Sequence, residues 1–224
     1  MSGLIRYTVL LGFVLVCLSA VSCLRRETLH TGDLIFVGRP QDIPSDENSM
    51  DSAISAATGS GSVNRIHTAI VEVDSLGQVW IIDATIKRGV DRHPLDTFIT
   101  DFRLKDGSYP VFEVKRLKDD ARAEEFVRNA KRYLGLPYDM FFMPGNDAMY
   151  CTELVYESYR TPEGTPVFHE APMNFKSPDG TFPSYWIRFF ERIGQEIPQG
   201  IPGTNPQKMS EEPSLRPVAV SIGF

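Results

Sequence analysis

One cysteine stands where a helix is predicted to begin, and this position suits nucleophilic catalysis. Residues 135–159 read as a turn-rich loop that runs into an apolar helix starting near Tyr150, so Cys151 falls in the first helical turn. Unpaired backbone N–H groups and the positive end of the helix dipole favour a thiolate there. Buried cysteines are more often inert small hydrophobes, so the interpretation depends on a partner for the thiol proton.

The other cysteines of the chain lie near its start and cannot form a disulfide framework around Cys151. Of three cysteines in all, Cys17 lies in an apolar leader and Cys23 follows it directly. An exported chain that keeps one lone internal thiol indicates a residue that is either reactive or unusually well buried.

One of the four histidines is placed to serve as the base. His67 lies at the head of an alternating strand, and Asp83 lies on the strand that follows, so a hairpin would bring a carboxylate to the imidazole and fix its tautomer. The two residues face each other if paired positions sum to 150, which requires an odd loop such as residues 74–76 or 73–77. The other histidines are predicted to lie on the surface or in an irregular segment: His30, His93 and His169.

The elements around these residues predict an α+β fold with an antiparallel sheet packed against the nucleophile helix. Residues 39–65 contain few large apolar side chains and read either as a solvated loop or as a mobile flap over a cleft. The predicted strands are 34–37, 65–74, 79–85, a short one at 89–90, and 109–114. Before the Cys151 helix, the sequence predicts a short helix over 52–58 capped by Asp51, a brief helix from Pro94, and a helix that is capped by Asp119 and stops at Gly135. After it, the sequence predicts an amphipathic element over 185–190 and a Pro- and Gly-rich tail from Pro198 onward, within which a helix could start at Asn205.

Composition predicts one exported globular domain. The 224 residues are 42% hydrophobic, and a net charge of -6 without a basic run argues against nucleic acid as a partner. Residues 1–22 read as a signal peptide, and residues 23–224 as a single hydrolase domain. Cleavage before Cys23 fits a lipoprotein signal, with plain secretion and an uncleaved anchor as alternatives. We expect a cell-envelope protein whose membrane contact is a lipid anchor at Cys23.

Two motifs resemble those of NlpC-type cell-wall peptidases. The run Leu-Gly-Leu-Pro-Tyr that ends at Tyr138, followed by Tyr-Cys-Thr-Glu-Leu-Val from Tyr150, is similar to their tyrosine and Asp-Cys-Ser-Gly-Leu-Val segment. Here, however, His67 and Asp83 precede the cysteine. That order, together with Gly-Asp-Leu-Ile-Phe from Gly32, resembles the YiiX-like permuted papain-fold cysteine hydrolases over nearly all of the mature chain.

The resemblance implies a circularly permuted papain-like core and a role for each motif residue. Cys151 would be the nucleophile, His67 the base and Asp83 the orienting residue. Tyr138 and Tyr150 would lie at the oxyanion or substrate-binding positions, although Tyr138 also reads as a turn aromatic and Tyr150 replaces an aspartate of the unpermuted enzymes. The orienting position is commonly glutamate in permuted relatives, so the shorter Asp83 requires closer strands or an intervening water.

These roles predict an exported cysteine amidase or peptidase acting on cell-wall peptides, with no cofactor and no metal-ligand spacing. An alternative is a lipid-directed acyltransferase or esterase that uses the same dyad, with the apolar residues 140–143 and Met149 lining a groove instead of the core. A third hypothesis is a non-catalytic surface binding protein. The substrate choice rests on the resemblance and on export alone.

Overall fold

A computed structural model describes residues 27–40, 49–59 and 61–222. Residues 1–22 and Cys23 lie outside this part of the chain, and none of the described helices is long and apolar enough to cross a membrane. The strands are β1 (Leu34–Pro40), β2 (Val63–Val73), β3 (Val79–Thr85), β4 (Gly89–Pro94), β5 (Val111–Leu117), β6 (Ala171–Pro172), β7 (Pro202–Gly203) and β8 (Leu215–Pro217). The helices are α1 (Met50–Thr58), α2 (Leu95–Asp101), α3 (Ala123–Ala130), α4 (Cys151–Ser158), α5 (Ser184–Ile193) and α6 (Pro206–Ser210).

The α+β fold expected from the sequence is confirmed, with one antiparallel sheet at its centre. In the described residues, six strands pair in the order β4-β3-β2-β1-β5-β8. Strand β1 is buried on both faces: Leu34 and Phe36 enter one core, while Ile35 and Val37 enter another. Because successive side chains point to opposite faces, a strand covered on both sides reads as a continuous apolar run.

Helices cover both faces of the sheet. Phe126 of α3 and Leu154 of α4 belong to the core that contains Leu34, whereas Phe98 of α2 belongs to the core on the other face. A third, largely aromatic cluster joins α5 to α1 and surrounds Trp186, which is 1% exposed. This aromatic cluster lies beside the nucleophile helix and forms part of the site described below.

The β2–β3 hairpin has an odd loop, but its predicted register is wrong by two positions. Val73 pairs with Val79, so paired positions sum to 152 instead of 150. This register still keeps His67 and Asp83 on one face, because a shift of two residues preserves the alternation. The two side chains are therefore diagonal neighbours instead of directly opposite each other, a separation that long side chains can span.

An aspartate side chain sets the length of this hairpin loop. The Asp74 carboxylate accepts hydrogen bonds from the backbone N–H groups of Leu76 and Gln78 and from the indole N–H of Trp80, each at 2.9 Å. The Asp74 N–H also donates to the Gln78 carbonyl at 3.0 Å. These bonds favour a loop over residues 74–78, a preference that strand alternation alone does not reveal.

Two predicted helix caps are also wrong. Ser49, not Asp51, caps α1, because its hydroxyl accepts the Ser52 N–H at 3.2 Å and leaves Asp51 within the first turn. Helix α3 begins at Ala123, and Asp119 lies before it. The Asp119 carboxylate accepts the Ala121 N–H at 3.3 Å in a local turn. Such local side-chain bonds compete with capping, so an Asp near a helix start does not fix the first residue.

The Pro- and Gly-rich ending is part of the sheet, not an appended tail. Helix α6 does start after Asn205, whose side chain accepts the Lys208 N–H at 2.9 Å. Beyond it, β8 pairs with β5, and Met209 and Leu215 join the core that contains α4. This C-terminal segment thus covers an edge of the sheet that would otherwise be open. Strand β8 has only three residues, which is too short for its alternation to be recognised in the sequence.

Candidate active site

Cys151 is the first residue of α4 and is 5% exposed. The N–H groups of the first helical turn have no acceptor within the helix, so they and the helix dipole act at this thiol. The Tyr150 N–H donates to the Glu153 carboxyl group at 3.4 Å, which ties the helix start to its first turn. The predicted position of Cys151 at the beginning of a helix is confirmed.

Glu153, in the first turn of α4, faces inward, and only 7% of it is exposed. Burial raises the pKa of Glu153 to about 8, although the hydrogen bond from Tyr150 opposes this shift and the charge of Asp139 adds to it. At neutral pH this group therefore carries its proton. An acid in the first turn thus does not place a negative charge beside the thiol.

Tyr138 is held close to Cys151 by backbone pairing on both sides of it. The Asp139 N–H donates to the Met149 carbonyl, and the Met149 N–H donates to the Pro137 carbonyl, each at 3.0 Å. Burial raises the pKa of Tyr138 well above its ordinary value, and the charge of Cys151 contributes to the shift. The phenol therefore stays protonated and can act as a hydrogen-bond donor.

Gly89 and Val90, the first two residues of β4, support this loop. The Val90 N–H donates to the Leu136 carbonyl at 2.8 Å, and the Gly135 N–H donates to the Val90 carbonyl at 2.9 Å. Gly89 has φ 69, and a Cβ there would lie 2.2 Å from the Leu136 oxygen. Only glycine permits this approach, so Gly89 helps to set the position of the segment that carries Tyr138.

The structure brings His67 together with both of its predicted partners. The His67 Nε2 lies 2.8 Å from the Asp83 Oδ2, and Cys151 is close enough to the His67 ring to raise its pKa. Because the carboxylate can only accept, Nε2 carries a hydrogen and Nδ1 is left for the sulfur. All three side chains are buried, with Asp83 1% exposed. The shorter aspartate therefore reaches the imidazole directly. An intervening water, the alternative considered for a side chain of this length, is not needed.

The surroundings of His67 favour its charged form. Burial disfavours the imidazolium, but the negative charge of Cys151 and the hydrogen bond to Asp83 outweigh it and raise the pKa of His67 to about 10. The ring of Phe102 packs over the imidazole, with ring centroids 4.9 Å apart. At neutral pH His67 therefore carries its proton beside Cys151, where an imidazolium can stabilise a nucleophilic sulfur and supply a proton to a leaving group.

A second histidine beside Asp83 was predicted to lie on the surface, and that prediction is wrong. His93 is 5% exposed, with its Nε2 3.9 Å from the Asp83 Oδ1. Strand β4 continues to Pro94 and pairs His93 with Ile81, which puts the ring on the face of Asp83. Extending the strand that begins at Gly89 would have revealed this position. By contrast, His30 is exposed, as predicted, and His169 lies exposed in an irregular segment.

Tyr150, the other predicted substrate-binding residue, has its hydroxyl engaged away from the dyad. This hydroxyl accepts the Thr204 N–H at 3.2 Å and lies 4.0 Å from the Met173 sulfur. A Cβ on Gly203 would come 3.0 Å from the same hydroxyl. Tyr150 therefore connects the start of the nucleophile helix to the strand β7 region, which the sequence analysis did not link to the site.

Two cavities border the dyad. One is lined by Cys151 and by the aromatic cluster. The other is lined by His67 and by the charged side chains of Asp51, Lys87 and Arg88. Ile54, Ile66 and Tyr138 line both. Helix α1 lies within the segment predicted as a loop or flap and contributes residues to the walls of both cavities.

Comparison with known proteins identifies the family. The sequence profile of one family, described as permuted papain-like amidase enzyme, YaeF/YiiX, C92 family, matches residues 28–219. The chain belongs to this family. The expected permuted papain-like fold and cysteine-hydrolase class are therefore confirmed, and this permuted papain-like amidase carries its histidine hairpin ahead of its cysteine helix.

Two proteins similar to this permuted papain-like amidase come from Escherichia coli. The uncharacterized protein YiiX of Escherichia coli strain K12 is 32% identical over 113 residues, which are 50% of this chain and 55% of the relative. The matched part thus spans about half of the relative's length. A crystal structure described as metalloprotein yiiX from Escherichia coli O157:H7 has a TM-score of 0.64 and 27% identity, covering 86% of this chain and 97% of that one.

The term metalloprotein belongs to the description of that crystal structure and is not carried over to this chain. In residues 27–40, 49–59 and 61–222 of the present amidase, no group of three or more His, Cys, Asp or Glu side chains is arranged to hold a metal ion. The donor sets found here do not fit a metal centre, and the steps proposed below use side chains of this chain.

Proposed function

We propose that the protein hydrolyses amide bonds through Cys151, His67 and Asp83. The observation that carries the proposal is the buried His67, which hydrogen-bonds Asp83 at 2.8 Å and also contacts a cysteine at a helix start. A charged imidazole held between a carboxylate and a thiolate has the arrangement that cysteine amidases require.

The chemistry follows from where the protons lie. The Cys151 thiolate attacks the amide carbon, and the Sγ–C bond forms while the C–N bond breaks. The His67 imidazolium gives its proton to the departing nitrogen. Neutral His67 then takes a proton from water, the hydroxide adds to the thioester carbon, and the Sγ–C bond breaks to release the acid and restore the thiolate. Asp83 keeps Nε2 as the donor and stabilises the imidazolium.

The oxyanion formed during each attack needs donors. The backbone N–H of Cys151, which has no acceptor within its helix, is one candidate, and the protonated hydroxyl of Tyr138 is the other. Tyr150 has its hydroxyl on the Thr204 N–H, so we assign it to the wall of the substrate cavity instead of to the oxyanion.

We propose a cell-envelope substrate, with peptides of the cell wall as the first candidate. Residues 1–22 support export, and Cys23 supports attachment to the membrane through a lipid. The family supports amide cleavage. The lipid-directed acyltransferase or esterase is the second candidate, and one observation favours it: the cavity beside Cys151 has an aromatic wall.

The test is single-turnover acylation of the purified protein. Cys151→Ala is expected to abolish cleavage of muropeptides and of model amides and to prevent any mass increase of the protein, because no thiolate remains to form the thioester. Thr152→Ser, one position later in the same helix, is the matched control and should cleave at close to the wild-type rate. Cleavage by Cys151→Ala at the wild-type rate would rule out the proposed nucleophile.

A further inference from the structure

The cavity that His67 lines contains a charged side chain without a partner. The Lys87 Nζ lies 3.0 Å from the Asp101 carboxylate, which also forms an ion pair with Arg88. His67 is held by its orienting carboxylate. Among the residues that the structure describes, no hydrogen bond or ion pair engages the carboxylate of Asp51, the remaining charged residue of this wall. A ligand can therefore pair with Asp51 without breaking an existing contact.

Helix α1 holds Asp51 at this position. Asp51 lies in the first turn of α1, and the helix is tied to two other parts of the molecule. The Asn64 side-chain amide donates to the Ser55 hydroxyl at 2.7 Å, which joins α1 to β2. The Asn174 side-chain amide donates to the Ala57 carbonyl at 2.8 Å, which joins α1 to the segment after β6. A carboxylate on an anchored helix is placed more precisely than one on a loop.

The protein on its own compensates the charge of Asp51 poorly. Burial of the carboxyl group in the cleft raises the pKa of Asp51, although the charges of His67 and Arg39 oppose this shift. The residue as a whole is exposed, so a ligand can reach it. A hydrogen-bond donor or a positive charge that arrives there replaces the lost water and stabilises the carboxylate. A perturbed carboxyl group in a cleft beside a catalytic histidine indicates a functional residue.

The chemistry of amide cleavage brings such a donor to this cavity. The departing nitrogen receives its proton from His67, so it must lie on the side of the dyad that His67 lines. That proton goes to the lone pair of the nitrogen as the C–N bond breaks. The hydrogen that the nitrogen carried in the substrate stays on it and needs an acceptor of its own. A carboxylate in the same cavity can supply that acceptor.

We propose that Asp51 binds the leaving group, with its carboxylate accepting a hydrogen bond from the departing N–H while His67 protonates the same nitrogen. This inference rests on the proposed hydrolysis at Cys151 and names its substrate class, amides that carry a hydrogen on the scissile nitrogen. An ester offers no such hydrogen, because its leaving oxygen has only lone pairs. Asp51 therefore favours amides over esters.

The experiment compares two substrates that differ in the leaving atom alone. One is the butanoyl amide of aminomethylcoumarin, and the other is the butanoyl ester of the corresponding hydroxymethylcoumarin. Asp51→Ala is expected to lower kcat/KM for the amide by about thirtyfold, the size of a hydrogen bond to a charged group. The same variant should keep kcat/KM for the ester within about threefold of wild type. Release of the fluorescent coumarin measures both rates.

A conservative variant and a matched control accompany this change. Asp51→Asn keeps an acceptor oxygen without the charge, so its loss on the amide should be smaller, about fivefold. Asp96 is an exposed aspartate in the first turn of α2 and lines neither cavity beside the dyad. Asp96→Ala removes the same favourable interaction with a helix dipole, and it should leave the ratio of amide to ester cleavage unchanged.

The outcomes separate this inference from the proposed function. Equal losses on amide and ester in Asp51→Ala, or no loss on either, would overturn the role of Asp51 and leave the hydrolase in place. Acyl-enzyme formation on Cys151 of the wild type is followed by intact mass with both substrates. Acylation by the ester alone, or by neither while iodoacetamide still alkylates Cys151, would overturn the proposed amide hydrolysis and this inference together.

Discussion

Two buried histidines flank Asp83, and only one of them is connected to it by a hydrogen bond. His67 lies 2.8 Å from one carboxylate oxygen and also contacts Cys151. His93 lies 3.9 Å from the other oxygen, and neither of its ring nitrogens has a hydrogen-bond partner in the described residues. The two rings have the same chemistry and similar burial, at 7% and 5% exposed, so their difference comes from geometry alone.

This difference shows what selects a catalytic base. A histidine next to a carboxylate is common, but a base must also reach the nucleophile and be held in one tautomer. His67 meets both conditions. The His93 ring instead stacks on Phe98, with ring centroids 6.4 Å apart. Its Nδ1 lies 3.5 Å from the Oδ2 of Asp91, whose side chain is partly exposed. We therefore expect His93 to matter for packing and His67 for chemistry.

The largest expected effect is the loss of His67. His67→Ala should lower kcat/KM for a model amide by about a thousandfold or more, because both thiolate stabilisation and proton delivery disappear. Release of the amine from an aminomethylcoumarin amide measures this loss. His169→Ala is the control, since that side chain is 83% exposed and pairs with Glu212. Activity of His67→Ala within tenfold of wild type would remove His67 from the mechanism.

A smaller loss is expected when Asp83 keeps its shape but loses its charge. Asp83→Asn should lower kcat/KM by about a hundredfold, since the imidazolium is less stabilised. The carboxylate helps to raise the pKa of His67 to about 10, so its removal lowers that pKa. Activity requires the imidazolium and falls as His67 loses its proton. The alkaline limb of the pH–rate profile should therefore lie near pH 10 in wild type and at lower pH in Asp83→Asn.

Asp83→Glu is the matched comparison for this experiment, because it keeps the charge at the residue type common among permuted relatives. It should retain an alkaline limb closer to that of the wild type than Asp83→Asn does. Identical limbs in the wild type and Asp83→Asn would show that the carboxylate does not set the protonation of His67.

The smallest effect is expected at His93. His93→Phe should leave kcat/KM within about threefold of wild type, because no proton passes through this ring. Replacing two buried ring nitrogens that lack partners by carbon should leave the free energy of unfolding unchanged or raise it by about 1 kcal/mol. Urea titration measures the stability. A tenfold loss of activity in a stably folded variant would mean that His93 positions Asp83 and would end the contrast between the two histidines.

The sequence predicts the partners of the site better than their exact geometry. The position of Cys151 follows from the change from turn residues to helical spacing, and the shared face of His67 and Asp83 follows from strand alternation. The register does not, because it depends on three hydrogen bonds of the Asp74 side chain within the loop. Alternation fixes which face a side chain takes, whereas turn chemistry fixes which neighbours it meets.

The walls of the site could be predicted less well than its reactive residues. Ala57, Phe175 and Trp186 come from segments far apart in the chain, and they meet at the cavity only through long-range packing. The burial of His93 likewise depends on strand β4 continuing to Pro94, although proline and charged residues suggest a turn. Pairing with β3 overrides these local preferences.

The order of the hairpin and the nucleophile helix also bears on how this protein folds. His67 and Asp83 lie on adjacent strands joined by a five-residue loop, and such hairpins form within microseconds. Pairing of β5 with β1 and β8, and docking of α4 on β2, join distant parts of the chain and are expected to be slower. We therefore expect the base to meet its carboxylate first during folding, and the thiol to gain its reactivity only when the last long-range contacts form.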